Sequence, residues 1–207
     1  MRTQRALRRL RPDPVDDDLV LRLIELALKA PSGSNQQNWE FVVVRDPAVK
    51  ARLARLNRQA QAFYGRIGRV LARNDPKMQR TLDAVDWQRD HFEEIPVVVV
   101  ACLRGPRLAF PPLAATSYYG SIYPAVQNLL LAARAAGLGA ALLTLPLWST
   151  VLARRALGLP WTVTPCAVVP LGWPRGRYGP TTRRPVAEVV HVDRYGNRPF
   201  RRPPRRP

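Results

Sequence analysis

Apolar and polar positions along this chain alternate in two rhythms. From Leu19, the positions Leu23, Leu26, Ala27 and Ala30 recur at helical spacing, which predicts a helix with those side chains on its buried face. Asp16, Asp17 and Asp18 supply its cap and a negative first turn, and Pro31 ends it. The run around Phe41–Val44 predicts a buried strand over Glu40 to Arg45, and Asp46-Pro47 turns the chain into a new helix. From Ala48 to about Glu94 the pattern is helical, polar and Arg-rich, broken at Asn74-Asp75-Pro76. Ile95 to Leu103 is β-branched and apolar throughout, the mark of a strand buried on both faces, with Pro96 at its start. Arg104 to Tyr119 is Pro-rich and lacks periodicity, and it reads as a connection long enough to cover a site. Gly120-Ser121-Ile122-Tyr123-Pro124 opens the longest apolar helix, with Pro124 in its first turn and Gly137 as its left-handed stop. It is apolar nearly all round and therefore reads as buried. A strand over Ala140 to Leu145, a helix over Trp148 to Leu157 and a core strand over Thr164 to Leu171 complete the pattern. At the front, Thr3 to Leu10 reads as a short basic helix that puts Arg5, Arg8 and Arg9 on one face.

Composition narrows the class. The 207 residues, 46% apolar, suit one domain with a sizeable core, placed over residues 1–197. Gln127, Asn128 and Arg134 interrupt the longest apolar run, so no membrane span is expected, and no secretory h-region follows the first charges. A cytoplasmic protein is the expectation. Cys102 and Cys166 sit singly in apolar runs and read as small buried hydrophobes. The formal net charge is +18, much of it in Arg2 to Arg11 and in the Arg/Pro tail of residues 198–207, which is expected to be disordered. Such charge favours anionic partners and steers them. A nucleic-acid binder is one reading of it, although no recognised motif or aromatic interleaving accompanies the arginines.

The stretch Pro31-Ser32-Gly33-Ser34-Asn35-Gln36-Gln37-Asn38-Trp39 carries the most distinctive chemistry. Its hydroxyls and carboxamides both donate and accept hydrogen bonds, and Gly33 can take a positive φ. Those groups suit a ligand with a hydrogen-bonding ring edge and a polyol tail; they also suit a plain helix-to-strand connection. Arg pairs such as Arg5 with Arg8 suit a phosphate, or a solvated basic face. Trp87, His91 and Phe92 share a possible helix face and read as packing. With His91 and His191 far from either Cys, no metal site is expected. Gly137-Leu138-Gly139 ends a helix instead of opening one, so it is not a dinucleotide fingerprint.

The segment Ala-Pro-Ser-Gly-Ser-Asn-Gln-Gln-Asn-Trp from Ala30 resembles the signature loop of the nitroreductase family. Arg5-Ala6-Leu7-Arg8-Arg9-Leu10 resembles that family's opening basic segment, with Ala6 where the family often has Ser. The long Ala-rich helix ending in Gly-Leu-Gly and the turn Gly179 to Pro185, before an expected Val-Ala-Glu-Val-Val strand, follow in the family's order. The resemblance implies an α+β sandwich with a mixed, mostly antiparallel sheet flanked by helices. It implies a homodimer packed through the long helix, with FMN at the subunit interface. It implies a ping-pong reaction in which NADPH or NADH reduces the flavin and a nitroaromatic, quinone or enone reoxidises it. Carried over position by position, Arg5, Ala6, Arg8, Arg183 and Arg184 would meet the phosphate. Pro31, Ser32, Gly33, Ser34, Asn35 and Gln37 would meet the ribityl chain and ring edge. Ser121, Leu143 and Thr144 would lie near the isoalloxazine, and Phe110, Tyr118 and Tyr119 would line the substrate pocket. No protein nucleophile is required, since the cofactor carries the chemistry. The same fold also serves flavin-fragmenting enzymes, reductive dehalogenases, deazaflavin-related proteins and flavin-storing or flavin-sensing proteins.

Overall fold

The computed structural model describes residues 1–105, 112–177 and 179–200, the side chains of 112–114 excepted. Phe110 and residues 201–207 of the basic tail lie outside the described residues. The sheet is built from β1 (Trp39–Val44), β2 (Val97–Arg104), β3 (Gly139–Ala140) and β4 (Val163–Gly172), in the order β1-β2-β4-β3. All three ladders are antiparallel. The helices are α1 (Asp17–Ala27), α2 (Pro47–Leu71), α3 (Pro76–Asp90), α4 (Pro112–Ala135) and α5 (Thr150–Leu157).

The unbroken apolar run of β2 is explained by a core on each side of it. Successive strand residues face opposite ways. Val97, Val99, Ala101 and Leu103 meet α1 and α4 through Leu23, Ile122, Val126 and Leu129. Val98, Val100 and Cys102 meet α2 and α5 through Leu53, Leu56 and Ala153. The result is an α+β sandwich with helices on both faces of one sheet. Cys102 and Cys166 are free and buried, and burial pushes the Cys102 thiol up to about 12, so it stays protonated and unreactive near neutrality. Strand β4 holds two prolines inside the sheet. Val168 exchanges both backbone bonds with Leu143, so Pro170, two residues on, turns its missing donor to the same thinly paired side. Pro165 sits where the β2–β4 register shifts.

Helix boundaries follow local signals where these are strong. Asp16, Asp46 and Asp75 each accept backbone N–H groups at the starts of α1, α2 and α3. Gly137 takes φ +82° after α4.

Several expectations need correction. Residues 3–10 form no helix. Leu7 donates to the Ala140 carbonyl at 3.0 Å and Arg11 to that of Trp173 at 2.7 Å, so the segment lies extended beside β3 and the end of β4. A seven- or eight-residue helix closed off by Pro12 has too few bonds to repay its nucleation, and these backbone partners take its place. Helix α4 starts at Pro112, so Pro124 lies inside it and much of the expected 104–119 connection is helical. One stripe of α4 (Gly120, Tyr123, Gln127) is exposed in the single chain, so the helix is not buried all round. On α1, Leu26 is exposed and Val20 takes the buried place. The strand expected over Ala140 to Leu145 is two residues long and gives way to a 3₁₀ turn at Leu145–Leu147, where Pro146 cannot donate to a ladder. Val186–Glu188 is also a 3₁₀ turn, not a strand.

Candidate functional site

The polar loop after α1 is held by one hydroxyl. Ser121 on α4 accepts the Gly33 N–H at 3.0 Å, donates to the Ser117 carbonyl at 2.9 Å, and its own carbonyl accepts the Trp39 indole N–H at 2.7 Å. The loop is drawn so close to α4 that a Cβ on Gly33 would stand 2.5 Å from Ser117 Oγ. Gly33 is therefore present for close approach, and the expected positive φ falls elsewhere. Ser34, Asn35 and Gln37 take φ of 50°, 54° and 48°. Left-handed backbone costs a non-glycine residue about 1 kcal/mol or more, and three such residues in four positions mark a loop shaped by its surroundings. Within it, Ser32 Oγ accepts the Gln37 N–H at 3.1 Å, and Asn35 Oδ1 accepts from Gln37 Nε2 at 3.0 Å. Asn35 and Gln37 are both exposed. Asn38 donates to the Arg104 carbonyl at 3.0 Å, which ties the loop's exit to the end of β2.

The basic segment is positioned by its main chain instead. Its backbone bonds to Ala140, Trp173 and Arg175 fix residues 7–11, and Arg134 on α4 donates to Thr3 Oγ1 at 3.0 Å. Arg5, Ala6, Arg8 and Arg9 line an open cleft of about 490 Å³, together with Trp87 and with Arg175 and Arg177 after β4. Among the described residues, no carboxylate lines it. Burial lowers the Arg8 pKa, and its Nε is buried with no hydrogen-bond partner. A desolvated cation without a counter-ion is costly, and it makes the cleft receptive to an anion. The turn at residues 179–184 comes alongside: Thr181 donates to the Arg2 carbonyl at 3.2 Å, and Gly179 lies against Arg5 Nη1. Arg184 is exposed there, and Arg183 donates to the Thr182 carbonyl at 2.8 Å.

Among the described residues, one chain does not bring the loop and the arginines onto one cavity. The loop contacts α4 at Ser121 and the basic segment contacts it at Arg134, thirteen residues apart, or about 20 Å at the helical rise per residue. Ser121, one of the expected ring-side residues, has its hydroxyl committed to holding the loop. Leu143 is paired to Val168, while Thr144 is exposed at the start of the 3₁₀ turn. Tyr118 donates to the Leu103 carbonyl at 3.2 Å and meets Tyr119 edge-on with ring centroids 5.3 Å apart. Ser117 and Asn38, which fix the loop, and Arg9, Arg175 and Arg177, which complete the cleft, were absent from the sequence-derived set. Only the repeated arginine in Trp-Pro-Arg-Gly-Arg signalled the last two.

Comparison with known proteins bears on this arrangement. The chain is 32% identical over 202 residues to an NADH dehydrogenase of Thermus thermophilus, covering 90% of this chain and 91% of that protein. It is 30% identical over 205 residues to a 5,6-dimethylbenzimidazole synthase of Rhodospirillum rubrum, covering 95% and 87%. Among solved structures, iodotyrosine deiodinase bound to FMN and 3-iodo-L-tyrosine superposes with a TM-score of 0.70 at 21% identity, covering 93% of this chain and 96% of that one. A nitroreductase-like family protein from Bacillus cereus superposes with a TM-score of 0.67 at 17% identity, covering 92% and 91%. At such identities the likeness establishes the fold. The nitroreductase family model matches residues 1–173, and with this sandwich, this loop and this order of segments the chain belongs to the nitroreductase family of oxidoreductases.

Proposed function

We propose that this oxidoreductase binds FMN and takes a hydride from NAD(P)H for delivery to a small oxidant of the nitroaromatic, quinone or enone type, by a ping-pong scheme. The observation that carries the reading is the uncompensated arginine cleft, with Arg8 Nε buried and unpartnered, in a chain that also presents an exposed loop of amide and hydroxyl groups further along α4. A phosphate answers the first and a polyol and ring edge the second. Arg5, Arg8 and Arg184 would hold the phosphate. Ser32, Asn35 and Gln37 would orient the ribityl chain and ring edge. Bound FMN supplies hydride transfer at N5, in from the nicotinamide and out to the oxidant. The protein's share is binding, orientation and exclusion of water, which agrees with an inert Cys102 thiol.

The spacing of about 20 Å between loop and arginines along α4 supports a site shared by two copies. An antiparallel pairing of two α4 helices through the exposed stripe at Gly120, Tyr123 and Gln127 would set one protomer's loop beside its partner's basic segment. A homodimer is therefore part of the proposal.

The test is an absorbance spectrum of the purified protein with added FMN, before and after anaerobic NADPH or NADH, followed by a quinone or nitro acceptor. Flavin bands that bleach with nucleotide and return with acceptor support the reading. A protein that retains no FMN overturns it. One that binds FMN but neither bleaches nor turns over is a flavin binder instead.

A further inference from the structure

The cleft holds more positive charge than one flavin phosphate needs. Beyond Arg5 and Arg8 it is lined by Arg9, Arg175 and Arg177, and among the described residues none of these five has an ion-pair partner. The acidic residues of the adjoining α3 are engaged elsewhere: Asp83 and Asp86 bind Arg69, and Asp86 and Asp90 bind Arg89.

Arg175 is also pre-positioned. Its guanidinium lies over the Trp87 ring at 5.2 Å, its Nε donates to the Leu10 carbonyl at 3.2 Å, and its backbone N–H donates to the Arg9 carbonyl at 3.0 Å. Trp87 is itself stacked with His91, with centroids 4.0 Å apart, and His91 Nδ1 is held 2.8 Å from the Trp87 carbonyl. The Trp87 contact and the two hydrogen bonds together hold the Arg175 side chain in place. With Nε already used, the two terminal nitrogens form a fork, and a planar fork so held loses little freedom when a phosphate docks on it. Arg177, two residues on, and Arg9, bonded to Arg175 through the main chain, bring two further cations to the same cleft.

We propose that Arg9, Arg175 and Arg177 form a second phosphate seat in the cleft, which takes the phosphates of the dinucleotide reductant's adenosine half. This rests on the oxidoreductase reading above. It separates the two phosphate-bearing ligands within one cavity, the flavin at Arg5 and Arg8 and the dinucleotide at Arg9, Arg175 and Arg177. A doubly charged 2′-phosphate gains most from three guanidiniums, so the seat favours NADPH over NADH.

The experiment is calorimetric titration of the FMN-loaded protein with pyrophosphate and with 2′,5′-ADP, in wild type, Arg177→Gln and Arg175→Gln/Arg177→Gln. Arg177→Gln breaks no described contact and guards against misfolding of the double variant. Saturable binding to wild type, weakened at least tenfold in the double variant with flavin content unchanged, supports the seat, as does a matching rise in KM for NADPH that exceeds the rise for NADH. Absence of binding to the FMN-loaded wild type, equal affinity in the double variant, or loss of flavin instead of loss of pyrophosphate binding would each overturn it. The last result would make the cleft the flavin's own seat. A chain that takes up no FMN yet binds pyrophosphate through Arg175 and Arg177 would sink the oxidoreductase reading and leave a phosphate seat in place.

Discussion

The loop at residues 31–38 and the basic segment at residues 2–11 are both irregular, and they are held in opposite ways. The loop is held through a side chain and a close approach: Ser121 grips Gly33, and Gly33 has no Cβ to keep Ser117 away. Its strain sits in the residues that would face a ligand. The basic segment is held by backbone bonds to β3 and to the chain after β4; Arg11 pairs with Asp13, while Arg5, Arg8 and Arg9 have no ion-pair partner among the described residues. Side-chain anchoring gives the loop a defined shape at an energetic cost. Main-chain anchoring leaves a row of charges free to answer an anion. A polar ring edge needs the first arrangement and a phosphate the second.

The largest test of that contrast removes the free charges. Arg5→Ala/Arg8→Ala should weaken FMN binding about a thousandfold, taking about 2 kcal/mol for each charged hydrogen bond. The flavin-free melting temperature should hold, because the backbone anchors remain. Fluorescence quenching of added FMN measures the first and calorimetry the second; wild-type affinity would remove the segment from the site.

Gly33→Ala attacks the close approach. Overpacking against Ser117 costs about 1–3 kcal/mol, which should appear as about a tenfold loss of flavin affinity. Adding Ser117→Ala should restore it, since Ser117 Cβ stands 3.9 Å from the new methyl. A double variant no better than the single would show that space is not the reason for glycine here.

A smaller effect is expected for Ser121→Ala, which orphans the Gly33 N–H at a cost of about 1–2 kcal/mol in unfolding free energy. Denaturant titration checks it, and an unchanged midpoint would mean that water replaces the hydroxyl.

Smallest should be Ser34→Gly. Relief of its left-handed backbone offsets the added freedom of the unfolded chain, so stability should stay within about 1 kcal/mol of wild type. A drop beyond about 2 kcal/mol would show that Ser34 is held by contacts and is not strained.

Much of the scaffold could be read from sequence because its determinants are local. The Asp caps at residues 16, 46 and 75, the break at Asn74-Asp75-Pro76 and the Gly137 stop are decided by chemistry within a few residues. The both-face burial of Val97–Leu103 is written in its uninterrupted β-branched run. The site was legible in part. The loop residues and the arginine pairs stood out by type, and the order of segments pointed to the family. Arg175 and Arg177 were missed, because in an arginine-rich chain a local repeat such as Trp-Pro-Arg-Gly-Arg does not by itself separate cleft arginines from surface ones.

What only the tertiary structure decided depends on distant partners. Residues 3–10 carry a helical charge pattern, yet they lie extended because Ala140 and Trp173 offer backbone bonds that a short helix before Pro12 could not match. Gly33 invited a reading by backbone freedom, and only the position of Ser117 shows that it serves close packing. Helix α4 looks wholly buried by composition, but the fold leaves one stripe open. Caps, breaks and apolar runs act over a few residues and so are written in order along the chain. Close approach, competition for backbone partners and uncompensated charge arise between residues tens of positions apart, and they exist only once the chain has packed.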